Sequence, residues 1–130
     1  MKTVKIIIER SKDMYSAYAE NIEGIYGGGD TVAEAKQSII DAIKLFKKYN
    51  TSVPAILKSR YDFVYKFDTQ SFLNYYKGIF TNASLERITG INQRQLQHYA
   101  TGLKKPRTAQ TKKIQTSLHK LGSELMAVEL

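Results

Sequence analysis

Cysteine is absent from this 130-residue chain. That excludes a disulfide framework, a thiolate metal site and a cysteine nucleophile, and it agrees with a reducing compartment. No apolar run approaches the length of a membrane span. The opening segment, Met1 to Arg10, sets Lys2, Lys5 and Arg10 around a short apolar stretch. A secretory signal needs a longer apolar region and a small-residue cleavage site. The expectation is a soluble, cytoplasmic protein with no membrane partner. Internal repeats and low-complexity tracts are also missing. So are acidic residues between Arg87 and Lys120, a stretch that carries eight Lys and Arg.

The hydrophobic fraction of 42% suffices for a packed core and is too high for a disordered chain. The length fits one ordinary domain or two very small ones. The net charge of +8 is unevenly spread. Residues 1–68 hold 11 basic and 9 acidic side chains, whereas residues 69–130 hold 9 and 3. A surplus concentrated in one half is the electrostatic footprint of a polyanion-binding surface, and a solvated basic face gives the same tally.

Hydrophobic periodicity divides the chain at the same place. Val4, Ile6 and Ile8 alternate with Lys5, Ile7 and Glu9, which predicts a strand. Ser11 to Asp13 is a turn, and Tyr15, Ala17 and Ala19 form the hairpin partner. Ile25 to Gly29 is a short third strand running into glycines. Thr31-Val32-Ala33-Glu34 has capping-box spacing. Val32, Ala35, Ile39, Ala42, Ile43 and Phe46 then recur at helical steps, and Lys47 and Lys48 suit the negative end of that helix. Alternation returns over Tyr61 to Phe67 as a fourth strand. After Asp68 the pattern is helical throughout. Asp68 or Thr69 caps a helix reaching about Ile79, with Phe72, Leu73, Tyr76 and Phe80 inward. Short helices follow, and a longer one starts near Thr108 with an apolar stripe of Ile114, Leu118, Leu121 and Leu125. That stripe serves equally well as core or as an interface between copies. The fold expected is α+β: a β-β-β-α-β module over residues 1–68, with an antiparallel sheet and one helix, followed by four or five helices over residues 69–130.

Leu85 to Arg107 is the most informative segment. Leu85 and Ile88 read as inward-facing, Gly90 as a sharp inter-helix turn, and Ile91 as its plug. Asn92 caps the next helix, and Asn92-Gln93-Arg94-Gln95 again has capping-box spacing. Leu96 and Tyr99 point to the core. Gly102 ends the helix in the left-handed region. Lys104-Lys105-Pro106-Arg107 is a basic turn. Two helices joined by a tight glycine turn, the second opening on polar side chains, form a helix-turn-helix. Its second helix enters the major groove N-terminus first. Arg pairs with guanine and Gln with adenine, so Gln93, Arg94, Gln95 and His98 are the candidate base readers, with Gln95 shared between capping and contact. Asn82, Asn92, Lys104, Lys105 and Arg107 are the candidate phosphate contacts. His98 also has a plain surface reading.

This segment resembles the lambda-repressor/Cro class of DNA-binding domains through Leu85, Gly90, Ile91, Asn92, Leu96, Tyr99, Gly102 and Pro106. The likeness extends as a helical bundle over residues 69–125. Glu86 departs from it, since the class usually has alanine there. The first module resembles the HicB antitoxin family. The residues are Asp13-Met14-Tyr15-Ser16-Ala17, Asn21-Ile22-Glu23-Gly24, Gly29-Asp30-Thr31-Val32-Ala33-Glu34-Ala35 and the helix through Ile43. Asn21 stands where that family often has proline. The resemblance implies a truncated RNase-H-like domain and a HicAB-type toxin–antitoxin pair. The first module would neutralise a small, basic, mRNA-cleaving toxin of the HicA kind, and the second would repress the operon by binding operator DNA. It also implies a homodimer or higher homo-oligomer, because such domains read paired half-sites. Tyr15, Tyr18, Glu20, Glu23 and Tyr26 are the candidate toxin contacts. From Asp13 to Asp41 six carboxylates face a single basic residue, Lys36, which suits a cationic partner.

Other chemistries fit less well. Gly27-Gly28-Gly29 precedes a helix but lacks the Lys-Ser/Thr of a phosphate loop, and reads as a tight strand-to-helix turn. Asp13, Glu20, Glu23 and Asp30 lie in turns or at strand ends and do not converge as a two-metal nuclease requires. His98 and His119 are distant and lack cysteine partners for zinc. Basic residues do not interleave with the tyrosines as on an RNA-stacking sheet. No catalytic residue, metal or cofactor is therefore expected. The rivals are a stand-alone transcription regulator whose first module serves ligand binding or dimerisation, and an RNase-H-like nuclease.

Overall fold

Residues Val4 to Ile8 form the centre of strand β1 (Lys2–Arg10), and four of those five side chains are buried. In the computed structural model, which describes residues 2–130, β1 is an interior strand of a four-stranded sheet ordered β3-β2-β1-β4. A turn in which Ser11 N–H and Oγ–H both donate to the Met14 carbonyl (2.8 Å each) leads into β2 (Tyr15–Ala19). The hairpin pairs Ile6 with Ala19 through Arg10 with Tyr15. Strand β3 (Tyr26–Gly29) adds antiparallel to β2. Asn21 fixes the return: its Oδ1 accepts from Lys5 N–H (3.1 Å) and its Nδ2 donates to the Thr3 carbonyl (3.0 Å).

Helix α1 (Val32–Tyr49) opens with the expected capping box. Thr31 Oγ1 accepts from Glu34 N–H (3.1 Å), while the Glu34 carboxylate reaches one residue further back, to Asp30 N–H (2.8 Å). Its Val32, Ala35, Ile39 and Ile43 join Val4, Ile6, Ile8 and Ala17 in one core. Each isoleucine so buried contributes about 1.5–3 kcal/mol. The glycines of β3 are strand residues, not a turn, and they permit close approach of the helix. A Cβ at Gly27 would lie 2.6 Å from Ser38 Oγ, and one at Gly29 would lie 2.5 Å from Glu34 Cβ.

The sheet is mixed, which corrects the antiparallel expectation. Strand β4 (Tyr61–Phe67) pairs parallel to β1, from Lys2 with Tyr61 to Ile8 with Phe67. The reason is topological. β3 runs with β1, and an 18-residue helix carries the chain back to the starting end, so the following strand runs with β3 and β1. The module also contains a second helix, α2 (Ala55–Lys58), whose four residues are too few to show a period. Leu57 anchors it in the core.

The chain forms two compact units, Met1–Ser71 and Phe72–Leu130. Asp68 caps α3 (Thr69–Tyr75) by accepting from Ser71 N–H (3.1 Å). A 3-10 turn over Tyr76–Gly78 ends the predicted longer helix early. Helices α4 (Asn82–Thr89), α5 (Gln93–Thr101) and α6 (Thr108–Met126) complete the second unit, for six α-helices among the described residues. Its core is Leu73, Leu85, Ile91, Leu96, Tyr99 and Ile114. No helix among the described residues is long and apolar enough to cross a membrane.

Candidate nucleic-acid interface

Helices α4 and α5 meet at a corner built from four consecutive residues. Gly90 adopts φ 76°, ψ 6°, the left-handed region where a side chain is strained, and its N–H donates to the Glu86 carbonyl (2.7 Å). Ile91 is buried in the core. Thr89, not Ile88, is the buried partner of Leu85 on α4; Ile88 is only half-buried. The Thr89 hydroxyl donates to the Leu85 carbonyl (2.7 Å) and accepts from Ile91 N–H (3.1 Å), which fastens the corner from inside.

The start of α5 is held twice. Asn92 Oδ1 accepts from Arg94 N–H at 2.8 Å. Glu86, one helix away, accepts from Gln93 N–H at 3.1 Å and from Gln93 Nε2 at 3.4 Å. A carboxylate at a helix N-terminus satisfies an orphan donor and complements the helix dipole. The residue that departs from the expected pattern therefore orients α5. The predicted capping role of Gln95 is not realised, because its Nε2 donates along the helix to Tyr99 Oη (2.9 Å). Gly102, at φ 82°, terminates α5 as expected.

The exposed side of α5 carries Gln93, Arg94 and Gln97. Gln97 was missed by the sequence reading, although it lies one turn beyond Gln93 and Arg94 and so on the same side. Its Oε1 accepts from Asn82 Nδ2 (2.7 Å), which joins the first turn of α4 to the exposed row of α5. His98 is half-buried, and its Nδ1 is enclosed without a hydrogen-bond partner, so less of this ring is offered outward than expected. On another side of α5, that of half-buried Gln95 and buried Tyr99, Lys104, Lys105 and Arg107 line a concavity of about 530 Å³ with those two residues and Gln110. No carboxylate contributes to that lining, so its field favours an anion. On α6, Ile114 is core and Leu118 packs against it, whereas Leu125 and Met126 are exposed.

Of the five tyrosine and glutamate candidates in the first unit, Tyr18 and Tyr26 are cross-strand partners on one face of the sheet, whereas Tyr15 lies on the other. Tyr15 is a core residue, its hydroxyl accepting from Arg10 Nη1 (3.3 Å), and is not available to a partner. Tyr18 is half-buried opposite Ile7. Glu20 pairs with Lys5 (3.2 Å), and Glu23 is exposed. Tyr26, 69% exposed, lines a shallow groove with Glu34, Gln37, Ser38, Asp41, Ala42 and Leu45. That groove contains two carboxylates and no basic group. Glu34 and Asp41 belong to the acidic stretch that the sequence showed, whereas Gln37, Ser38, Ala42 and Leu45 escaped sequence reading because they are unremarkable on an amphipathic helix until β3 is set beside it. No family model, no curated protein and no solved structure matches the chain.

Proposed function

We propose that the second unit is a helix-turn-helix that binds double-stranded DNA through α5, and that the chain is an antitoxin-type repressor of the HicB kind. The observation that carries the first part is the combination of a pinned, capped α5 displaying Gln93, Arg94 and Gln97 with an adjoining carboxylate-free basic concavity. In the bound state Arg94 and the glutamines read base edges in the major groove. Lys104, Lys105 and Arg107, with Asn82 and Asn92, sit against phosphates and fix the register. Glu86 keeps α5 at the angle needed for groove entry.

The first unit, under this reading a truncated RNase-H-like domain, binds a protein and performs no chemistry. What supports it is the acidic groove between Tyr26 and α1, which suits a basic partner such as a small mRNA-cleaving toxin. The exposed Tyr26 and Leu45 supply the apolar contact that anchors such an interface. Two measurements test the proposal. Binding of the full chain to a pool of random duplexes is expected to weaken steeply as salt rises, reporting phosphate contacts. Co-expression with the product of an adjacent small basic open reading frame is expected to give a stable complex, lost on Asp41→Lys. Salt-independent or absent duplex binding rejects the DNA reading, and a complex indifferent to Asp41→Lys rejects the groove.

A further inference from the structure

We propose that β4 is a homotypic interface: two copies of this chain pair their β4 strands antiparallel across a two-fold axis at Val64, joining two four-stranded sheets into one of eight. The starting point is that β4 is an edge strand, hydrogen-bonded to β1 on one side. It is seven residues long, about 23 Å at the usual rise, and contains no proline or glycine. An edge of this kind is a template for another strand unless charge, proline or a bulge blocks it.

The charges that are present select a partner instead of excluding all partners. Asp62, Val64 and Lys66 are exposed and alternate with Tyr61, Phe63, Tyr65 and Phe67. Centred on Val64, an antiparallel self-pairing sets Asp62 opposite the partner's Lys66, and Lys66 opposite the partner's Asp62. Val64 meets its own symmetry mate. On the other face Phe63 meets the partner's Tyr65 and Tyr61 the partner's Phe67, all aromatic cross-strand pairs. The pattern continues past the strand ends, where exposed Arg60 falls opposite the partner's Asp68. Moving the two-fold centre by one residue sets Asp62 or Lys66 against valine, and moving it by two sets Asp62 against Asp62 or Lys66 against Lys66. A sequence whose charges invert about its own midpoint is what an isologous interface requires, because each residue meets the symmetry-related set. An unrelated basic or acidic strand would satisfy only half of these charges. The other edge, β3, offers four residues, three of them glycine, and no such symmetry.

This interface is independent of DNA binding and of the acidic groove, so its test stands apart from theirs. The absence of native cysteine allows a direct probe in the full chain. Opposed residues of antiparallel strands have Cα atoms about 4.5–5.5 Å apart, within disulfide reach. Val64→Cys is therefore expected to give a disulfide-linked dimer on mild oxidation. Glu9→Cys, exposed on interior strand β1, is the control and is expected to stay monomeric under the same conditions. Charge variants give a second readout by sedimentation. Asp62→Lys alone and Lys66→Glu alone each place like charges opposite one another and are expected to raise the association midpoint by roughly tenfold or more. An equimolar mixture of those two variants restores opposite charges at both positions and is expected to form mixed dimers at the wild-type midpoint. Cross-linking of Val64→Cys no faster than the control, or single charge variants that associate like wild type, overturns the proposal.

Discussion

Replacing Thr89 by valine removes one oxygen from the corner between α4 and α5 and leaves its volume nearly unchanged. The hydroxyl is the acceptor for Ile91 N–H, and both residues are buried, so the amide has no water to turn to. A buried donor left without a partner costs about 1–3 kcal/mol, whereas the Leu85 carbonyl loses only a supplementary bond. The expected net loss is about 1–2 kcal/mol. With a urea dependence of about 1 kcal/mol per molar for a unit this small, the midpoint for loss of helical circular dichroism falls by about 1–2 M. Thr89→Ser is the informative control, since it keeps the oxygen and deletes a methyl worth about 0.8 kcal/mol. Hydrogen exchange at the Ile91 amide should accelerate in the valine variant far more than in the serine variant. A valine variant as stable as wild type, or more stable than the serine variant, would refute the claim that this hydroxyl fastens the corner.

Gly29→Ala drives a Cβ to 2.5 Å from Glu34 Cβ and forces β3 away from α1; thermal unfolding is expected to show a loss of about 1–3 kcal/mol, whereas Gly122→Ala, in helix α6 with nothing within 4 Å, is expected to gain about 0.5–1 kcal/mol. Lys105→Ala should weaken binding to every duplex alike and reduce the slope of log affinity against log salt by about one counterion, measured by fluorescence anisotropy. Burial raises the Tyr65 phenol above its ordinary value, so the difference in alkaline tyrosine absorbance between wild type and Tyr65→Phe should develop above the ordinary range for a tyrosine phenol.

The features legible in the sequence are local ones. The Thr31–Glu34 capping box, the left-handed Gly90 and Gly102 and the Asn92 cap each depend on residues within four positions, and the side chain that the backbone demands is written beside it. What escaped depends on residues brought together from afar. The parallel direction of β4 follows from the length of α1 and the order of the strands, which no property of Tyr61 to Phe67 records. Glu86 caps a helix to which it does not belong. Thr89 is inward because the turn needs its hydroxyl, while apolar periodicity had pointed to Ile88. Gln95 has the right spacing for a cap but meets Tyr99 first. The basic cluster from Lys104 to Arg107 was visible as charge; that it lines a hollow with Gln95 and Gln110 was not. Among the partner candidates Tyr15 proved to be core, because alternation reveals that neighbours face opposite ways without revealing which way is covered.

The central claim is that α5 reads DNA sequence through Arg94. The measurement is selection of preferred duplexes from a random pool by the full wild-type chain, followed by titration of the preferred and a scrambled duplex with wild type and Arg94→Ala at one salt concentration. The account predicts that Arg94→Ala loses about 1–3 kcal/mol on the preferred duplex, roughly five- to hundredfold in affinity, with little change on the scrambled one. An Arg94→Ala chain that retains both the affinity and the sequence preference of wild type would contradict it.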